Sequence, residues 1–215
     1  MTTTAWIAIA STIGCVVLGT FLSVVLAFVP FPGSGLVARM IDTVLALPSF
    51  LITLAFTFLY GSAGAVNSAI AAVTGERPLH FLTTPWGVIL AEITFFTPFV
   101  VRPLLAAFAM MSTDQLNVAA SLGASPLRVL RSVILPEAWP ALAAGGSLVL
   151  LLTLNEFGIV AFTGAKDVTT LPVLIYTRGI VTFDLLGAAV IATVQVALSL
   201  ALYGAYRLLF ARITT

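Results

Sequence analysis

Five long apolar stretches constrain this chain more than any other feature. They cover residues 5–29, 42–60, 86–110, 139–162 and 185–206. Each approaches or exceeds the about 20 residues a helix needs to cross the ~30 Å hydrocarbon layer of a bilayer. None alternates apolar and polar residues as a half-buried strand would. Lipid offers no partner to an unpaired backbone group, so helices are the form such runs take. Only 8% of the residues are charged, against roughly 25% in soluble domains, and the mean hydropathy is +1.17. The expected class is an all-α membrane protein: one domain, residues 1–215, with five transmembrane helices.

The first run follows MTTTAW, which has no Lys or Arg. At about 25 residues it exceeds the ~7–15 of a signal-peptide core, so it is expected to be retained. The net charge of +1 provides no basic field for nucleic acid. Cys15 is the single cysteine, so an intrachain disulfide is excluded and a small packing role is expected. The chain has no G-x-x-x-x-G-K-[ST] phosphate loop, no H-E-x-x-H and no G-x-S-x-G. The expectation is a protein without catalytic or metal residues of its own. His80, alone in a loop, reads as a solvated side chain.

Five crossings place the termini on opposite sides, and basic residues choose between the two orientations. With the N-terminus outside, the inner segments carry Arg39, Arg128, Arg131, Arg207 and Arg212, and the outer ones Arg77, Lys166 and Arg178. Five against three favours an outside N-terminus and a cytoplasmic C-terminus. Residues 61–85 then form a long outer loop, with AVNSAIAAV as a short interfacial helix. Residues 163–184 form another, in which VLIYTRGIV is too short to span and reads as a helix on or dipping into the outer surface.

Polar residues inside the runs are costly and face the bundle interior or water. Span three carries Glu92, Pro98, Arg102 and Pro103. Glu92 and Arg102 are ten residues, about 15 Å, apart along a helix, so they do not pair in an unbroken one. Span four carries Gly145–Gly146, suited to close helix approach, and Asn155–Glu156 near its outer end. Glu92 and Glu156 each lie six residues from the outer ends of their spans and share a depth. Two readings stay open. Glu92, Arg102, Asn155 and Glu156 line a solute pathway, or the acids cap helix breaks and pair with arginines such as Arg102 or Arg178. Gln195, mid-way along span five, suits an interhelical hydrogen bond.

Between spans three and four lies a polar-flanked hairpin, residues 112–136. Ser112 and Gln115 have the spacing of a capping box, with Asp114 in the first turn, so a helix is expected from Thr113. Gly123 supplies a left-handed stop, and Ser125–Pro126 a second start. Leu127, Leu130 and Ile134 mark one apolar face, opposite Arg128 and Arg131. Two short helices joined by Gly-Ala-Ser-Pro are expected, with Pro136 ending the second or starting the next.

This stretch, Asn117 to Pro136, resembles the signature of the permease subunits of binding-protein-dependent ABC importers: Glu-Ala-Ala, three residues, Gly, nine residues, Ile, one residue, Leu-Pro. Ala119, Gly123, Leu135 and Pro136 match, Val133 stands for Ile, and Asn117 and Val118 depart from Glu and Ala. Thr170-Leu171-Pro172 resembles a segment that contributes to the periplasmic gate in that family. TPWGVILAEITFFTPFVVRPLLAAF and LNEFGIVAFTGAK resemble the 2-aminoethylphosphonate type in particular, within a group that also takes sulfate, molybdate and iron.

The resemblance implies a MetI-like permease fold in a bacterial inner membrane. It implies a hairpin that docks on a separate ATPase subunit through Asn117, Ala119, Gly123, Ser125, Arg128, Val133, Leu135 and Pro136. ATP and magnesium would be held by that partner and no cofactor by this chain. A second permease subunit, identical or homologous, and an extracytoplasmic solute-binding protein complete the implied assembly, surrounded by lipid. The competing class, a passive channel or a structural membrane subunit, accounts for the spans but not for the hairpin spacing.

Overall fold

The computed structural model describes residues 2–165 and 168–213, except for the side chains of Thr113, Arg207 and residues 209–213. Lys166 and the side chains of Arg207 and Arg212, counted above for orientation, lie outside the described residues. Among those described, every regular element is helical. Five helical stretches are long and apolar enough to cross a membrane: Thr2–Phe28, Ser49–Thr74, Pro85–Met110, Pro126–Leu154 and Leu185–Tyr206.

The centre of the bundle is made by α1 (Thr2–Phe28), the nearly continuous pair α5 (Pro85–Phe96) and α6 (Pro98–Met110), and α9 (Leu135–Leu154). Of the five spans, α5–α6 is the most enclosed. Thr97 joins its halves with helical torsions, φ −51° and ψ −40°. Pro98 and Pro103 therefore remove two amide donors without ending the span.

α1 and α5–α6 run parallel. Trp6 meets Trp86 edge-on at 5.6 Å, Cys15 Sγ lies 3.7 Å from the Ile93 carbonyl, and Phe28 meets Phe108 at 5.1 Å. Such pairing is what spans one and three require if each crosses in the same direction. α9 runs antiparallel to both, and glycine makes the approach possible. A Cβ on Gly145 would sit 3.1 Å from Val100 Cα, and one on Gly146 3.2 Å from Val16.

That contact gives a ruler along the bundle. Trp86 lies fourteen residues before Val100, and Trp139 six before Gly145. Twenty residues of helical rise separate the two levels by about 30 Å, the thickness of the hydrocarbon layer. Trp6, Trp86 and Trp139 are all exposed. They mark two aromatic belts, one near the hairpin end of the bundle and one at the far end.

Three boundaries differ from the sequence expectation. The apolar run 42–60 predicts span two, but Asp42 belongs to α2 (Ser34–Leu45), which stops before α3 (Ser49–Tyr60) begins. Pro48 is the reason: it disfavours helical torsions at Leu47 and itself caps α3 with φ −61° and ψ 139°. Beyond Gly61–Gly64, α4 (Ala65–Thr74) is the short helix expected in AVNSAIAAV. The Asn67 amide group donates to the Gly61 carbonyl at 3.0 Å and the Leu79 carbonyl at 2.8 Å, folding the following segment back over it. His80 is exposed there, and no metal-binding cluster occurs among the described residues.

The apolar run 139–162 predicts span four as one helix. In the structure α9 stops at Leu154, and a separate helix, α10 (Gly158–Thr163), follows after Asn155–Phe157. The second hairpin helix is not a separate element either. α8 (Pro126–Val129) passes through a π-helical stretch, Leu130–Ile134, straight into α9. The wider turn accommodates Pro136, which has no amide to continue the i→i−4 ladder.

After α10, the Leu171 amide donates to Thr4 Oγ1 at 3.0 Å, tying α11 (Leu171–Tyr176) to the start of α1. Phe157 meets Tyr176 at 5.0 Å. α12 (Leu185–Ile213) then packs on α9 and α11 and leaves most of its apolar surface uncovered by this chain.

Candidate coupling hairpin and polar layer

Two features carry function. The first is the hairpin of α7 (Thr113–Ser121) and α8. Ser112 caps α7 as expected, although its hydroxyl accepts from the Asp114 amide, at 3.2 Å. Gly123 has φ +78°, the left-handed geometry that glycine adopts without a Cβ penalty. The Gly123 amide donates to the Ala120 carbonyl at 2.9 Å and the Ala124 amide to the Ala119 carbonyl at 3.1 Å, so the turn closes on backbone bonds. Ser125 precedes Pro126 in extended torsions but makes no side-chain cap.

Asn117, Gly123, Ser125, Arg128 and Pro136 are exposed, and Ala119, Val133 and Leu135 are half-buried. The apolar face runs from Leu127, 54% exposed, through half-buried Leu130 to Ile134 in the core. With Val118 at 56% and Leu122 at 82%, the tip presents apolar side chains that this chain does not cover. The base of the hairpin meets the end of α1 across a groove of about 490 Å³, lined by Phe28, Val29, Leu116, Leu127 and Leu130.

The second feature is a polar layer inside the far-end belt. Along α5, Glu92 lies eight residues before Val100. Along α9, Leu154 lies nine beyond Gly145. With Gly145 packed on Val100, Glu92 and the Asn155–Glu156 break stand at one level, as the sequence spacing suggested. The two acids differ in role. Glu156 Oε1 accepts from the Ser49 hydroxyl at 2.9 Å and from the Ile159 amide at 2.8 Å. It therefore caps the start of α10 and fastens the break in span four to the break in span two.

Glu92 is fully buried, and neither of its oxygens has a hydrogen-bond partner. Its polar neighbours are Ser11 and Glu156. It sits within the wall formed by α1 and α5, and lines none of the described cavities.

Asn155 is exposed. Its amide donates to the Leu151 carbonyl at 2.7 Å and to Ser199 Oγ at 3.2 Å, while its oxygen accepts from Gln195 Nε2 at 2.9 Å. The interhelical bond expected of Gln195 thus joins α12 to the end of α9. Arg102 pairs with neither glutamate. It forms an ion pair with Asp42 of α2, while Arg178 pairs with Asp184 at 3.4 Å ahead of α12.

Asp42 and Ser49 are partners that sequence reading did not single out. Asp42 fell at the edge of an apolar run, and no spacing links Ser49 to a residue 107 positions away. The signal that could have found both was Pro48, which divides the run between them.

Comparison with known proteins bears on the family and the fold. Residues 16–215 match the family described as "Binding-protein-dependent transport system inner membrane component". A Salmonella paratyphi A protein named as the 2-aminoethylphosphonate transport system permease PhnU is 54% identical over 211 residues, 97% of this chain and 73% of that protein. A sulfate transport system permease protein, cysT, of Chlorella vulgaris is 32% identical over 188 residues, covering 86% and 68%.

Among solved structures, a bacterial alginate ABC transporter in complex with an alginate pentasaccharide-bound periplasmic protein aligns with a TM-score of 0.84 at 19% identity. That alignment covers 100% of this chain and 78% of the other. The MetNI methionine ABC transporter, in an inward-facing conformation, aligns with a TM-score of 0.73 at 18% identity, covering 99% and 94%. At those identities the likeness concerns the fold. Family match and close relatives together establish that this chain belongs to the binding-protein-dependent transport system inner membrane components, as a multi-pass permease subunit of an ABC importer.

Proposed function

We propose that the chain forms one half of the membrane pathway of an importer for 2-aminoethylphosphonate, and that the α7–α8 hairpin is its handle for a separate ATPase. The observation that carries the coupling role is the hairpin tip, where Val118, Leu122 and Leu127 are exposed around a fixed glycine turn. Apolar side chains held out on a short, closed hairpin suit insertion into a cleft of a partner. Asn117, Ala119, Gly123, Ser125, Arg128, Val133, Leu135 and Pro136 form or frame that handle.

In this reading the hairpin end is cytoplasmic and the far end, with the start of α1, faces outward. The C-terminus is then cytoplasmic. Five basic residues against three, and the requirement that an ATPase sit where ATP is, support the same orientation. ATP and magnesium belong to the ATPase subunits. An extracytoplasmic binding protein delivers solute to the far end, and a second permease subunit covers faces that this chain leaves open. ATP and loaded binding protein each favour one arrangement of the helices, so each shifts the same equilibrium between outward- and inward-open states.

The solute is supported by the 54% identity to the PhnU protein over 97% of this chain and by the pathway residues. Asn155 and Arg102 are exposed at membrane depth. The Glu156 carboxyl stands at the level where an ammonium would pass. Reconstitution tests the reading: the permease with its ATPase and binding protein should take up radiolabelled 2-aminoethylphosphonate into proteoliposomes only with ATP and binding protein. Uptake independent of both would return the chain to the passive-channel class. Strict dependence on another solute would retain the importer and reject this substrate.

A further inference from the structure

The Arg102–Asp42 pair is not used by the packing of the bundle. Val100, Val101, Leu104 and Phe108 turn the buried side of α6 inward, while Arg102 and Ala106 face away from it. The side chains of Arg102 and Asp42 remain 50% and 33% exposed. Arg102 lies two residues beyond Val100 and so about 24 Å below the Trp86 level by helical rise, still inside the belt that Trp139 marks. Charges exposed at that depth face water or a partner rather than lipid. α2, which supplies Asp42, contributes no buried residue and packs only lightly on α6.

The pair is also unbalanced. Arg39 stands three residues before Asp42 on α2, the spacing that places side chains on one helical face. Among the described residues Asp42 forms an ion pair with Arg102 alone, so the group of Arg39, Asp42 and Arg102 carries one positive charge in excess. Asp42 uses Oδ2 for Arg102, and its buried Oδ1 has no partner. Arg102 makes no other ion pair or hydrogen bond among the described residues, so most of its donor fork is open. A planar guanidinium with free donors and net positive surroundings matches a tetrahedral oxyanion.

We propose that Arg102 receives the phosphonate of the solute in the hairpin-end half of the pathway, and that Asp42 holds the guanidinium when no solute is there. This rests on the oxyanion-import reading above. The exchange is one acceptor for another. The phosphonate takes the donor fork, Asp42 is released, and α2 loses its polar tie to α6. When the anion leaves, the ion pair re-forms and removes the positive site that would otherwise retain the solute.

Two measurements on the complete importer test this. The first is ATP-dependent uptake of 2-aminoethylphosphonate by Arg102→Gln, Arg102→Lys and the double variant Arg102→Gln/Asp42→Asn. The expected result is about a tenfold loss in Arg102→Gln, as for truncation of one side of a charge-assisted contact, partial recovery with lysine, and no recovery in the double variant. Recovery in the double variant would show a pair that serves only to neutralise itself, and would overturn the proposal.

The second measurement needs no knowledge of the solute. In a Cys15→Ala background, Ala106→Cys places a thiol one turn from Arg102. Anionic sulfonate reagents should modify it about fivefold faster than cationic ones of equal size, and Arg102→Gln should abolish that preference. No labelling, or equal rates, would overturn the site. Absent 2-aminoethylphosphonate uptake by the unaltered importer, with the charge preference intact, would reject the substrate and leave the anion site standing.

Discussion

Replacing Glu156 by alanine removes the carboxyl group that joins the breaks in spans two and four. Two donors lose their acceptor: the Ser49 hydroxyl, 2.9 Å away, and the Ile159 amide, 2.8 Å away. Interhelical side-chain bonds in membranes average ~0.6 kcal/mol and reach about 1.7, and loss of a helix cap costs about 1 kcal/mol, up to ~2. The expected destabilisation is therefore about 2–3 kcal/mol, near the sum because the two donors are on different helices. Glu156→Gln keeps an oxygen at the same place and should cost under ~1 kcal/mol, because the acceptor rather than the charge caps α10. Ser49→Ala should cost about 1 kcal/mol. A double-mutant cycle of Ser49→Ala with Glu156→Ala should return a coupling of the same size. Reversible unfolding in mixed micelles, titrated with sodium dodecyl sulfate, reads all four values. Equal damage from Glu156→Gln and Glu156→Ala would refute the geometric role of this acceptor, since charge and not geometry would then hold the break. A cycle without coupling would refute that role equally.

Other expectations follow from single contacts. Gly123→Val places a β-branched residue at φ +78°, with strain of roughly 1–2 kcal/mol; it should reduce co-purification of the ATPase while leaving membrane insertion unchanged, and undiminished recovery of the ATPase would remove the hairpin from the interface. Gly145→Leu forces a Cβ to 3.1 Å from Val100 Cα, where backbone cannot yield as a side chain can; expression of folded protein should fall sharply, and a normal yield would contradict the close α6–α9 approach. Trp6, Trp86 and Trp139 should be quenched more by lipids brominated near the headgroup than by lipids brominated at the chain ends; stronger quenching by the deep bromines would displace the belts. Cys15 is fully buried and should resist maleimide until detergent denaturation, with rapid labelling in the native state counting against the α1–α5 seam.

Local chemistry made much of this protein legible from its residues. Run length and the absence of water in lipid fix the helical class before any packing is known. Ser112, Gly123 and Pro126 act within a turn or two, so their caps and stop can be read from neighbours alone, and Thr113–Ser121 begins where Ser112 placed it. Gly145 and Gly146 announced a close approach but not to what. Hydropathy does not record where a span is interrupted: Pro48 marks the break at Ala46–Pro48, whereas the one at Asn155–Phe157 is hidden in its apolar run. One hydrogen bond, from the Ser49 hydroxyl to Glu156, ties the two breaks together, and its partners come from distant parts of the chain. The same holds for Glu92, Arg102 and Asp42. Sequence establishes that charges lie inside the membrane region, whereas the crossing of α1, α5–α6 and α9 determines which is sealed in the wall and which faces outward. Composition governs the transfer of the chain into lipid; pairing of polar groups across helices depends on angstrom-scale geometry that only the assembled bundle supplies.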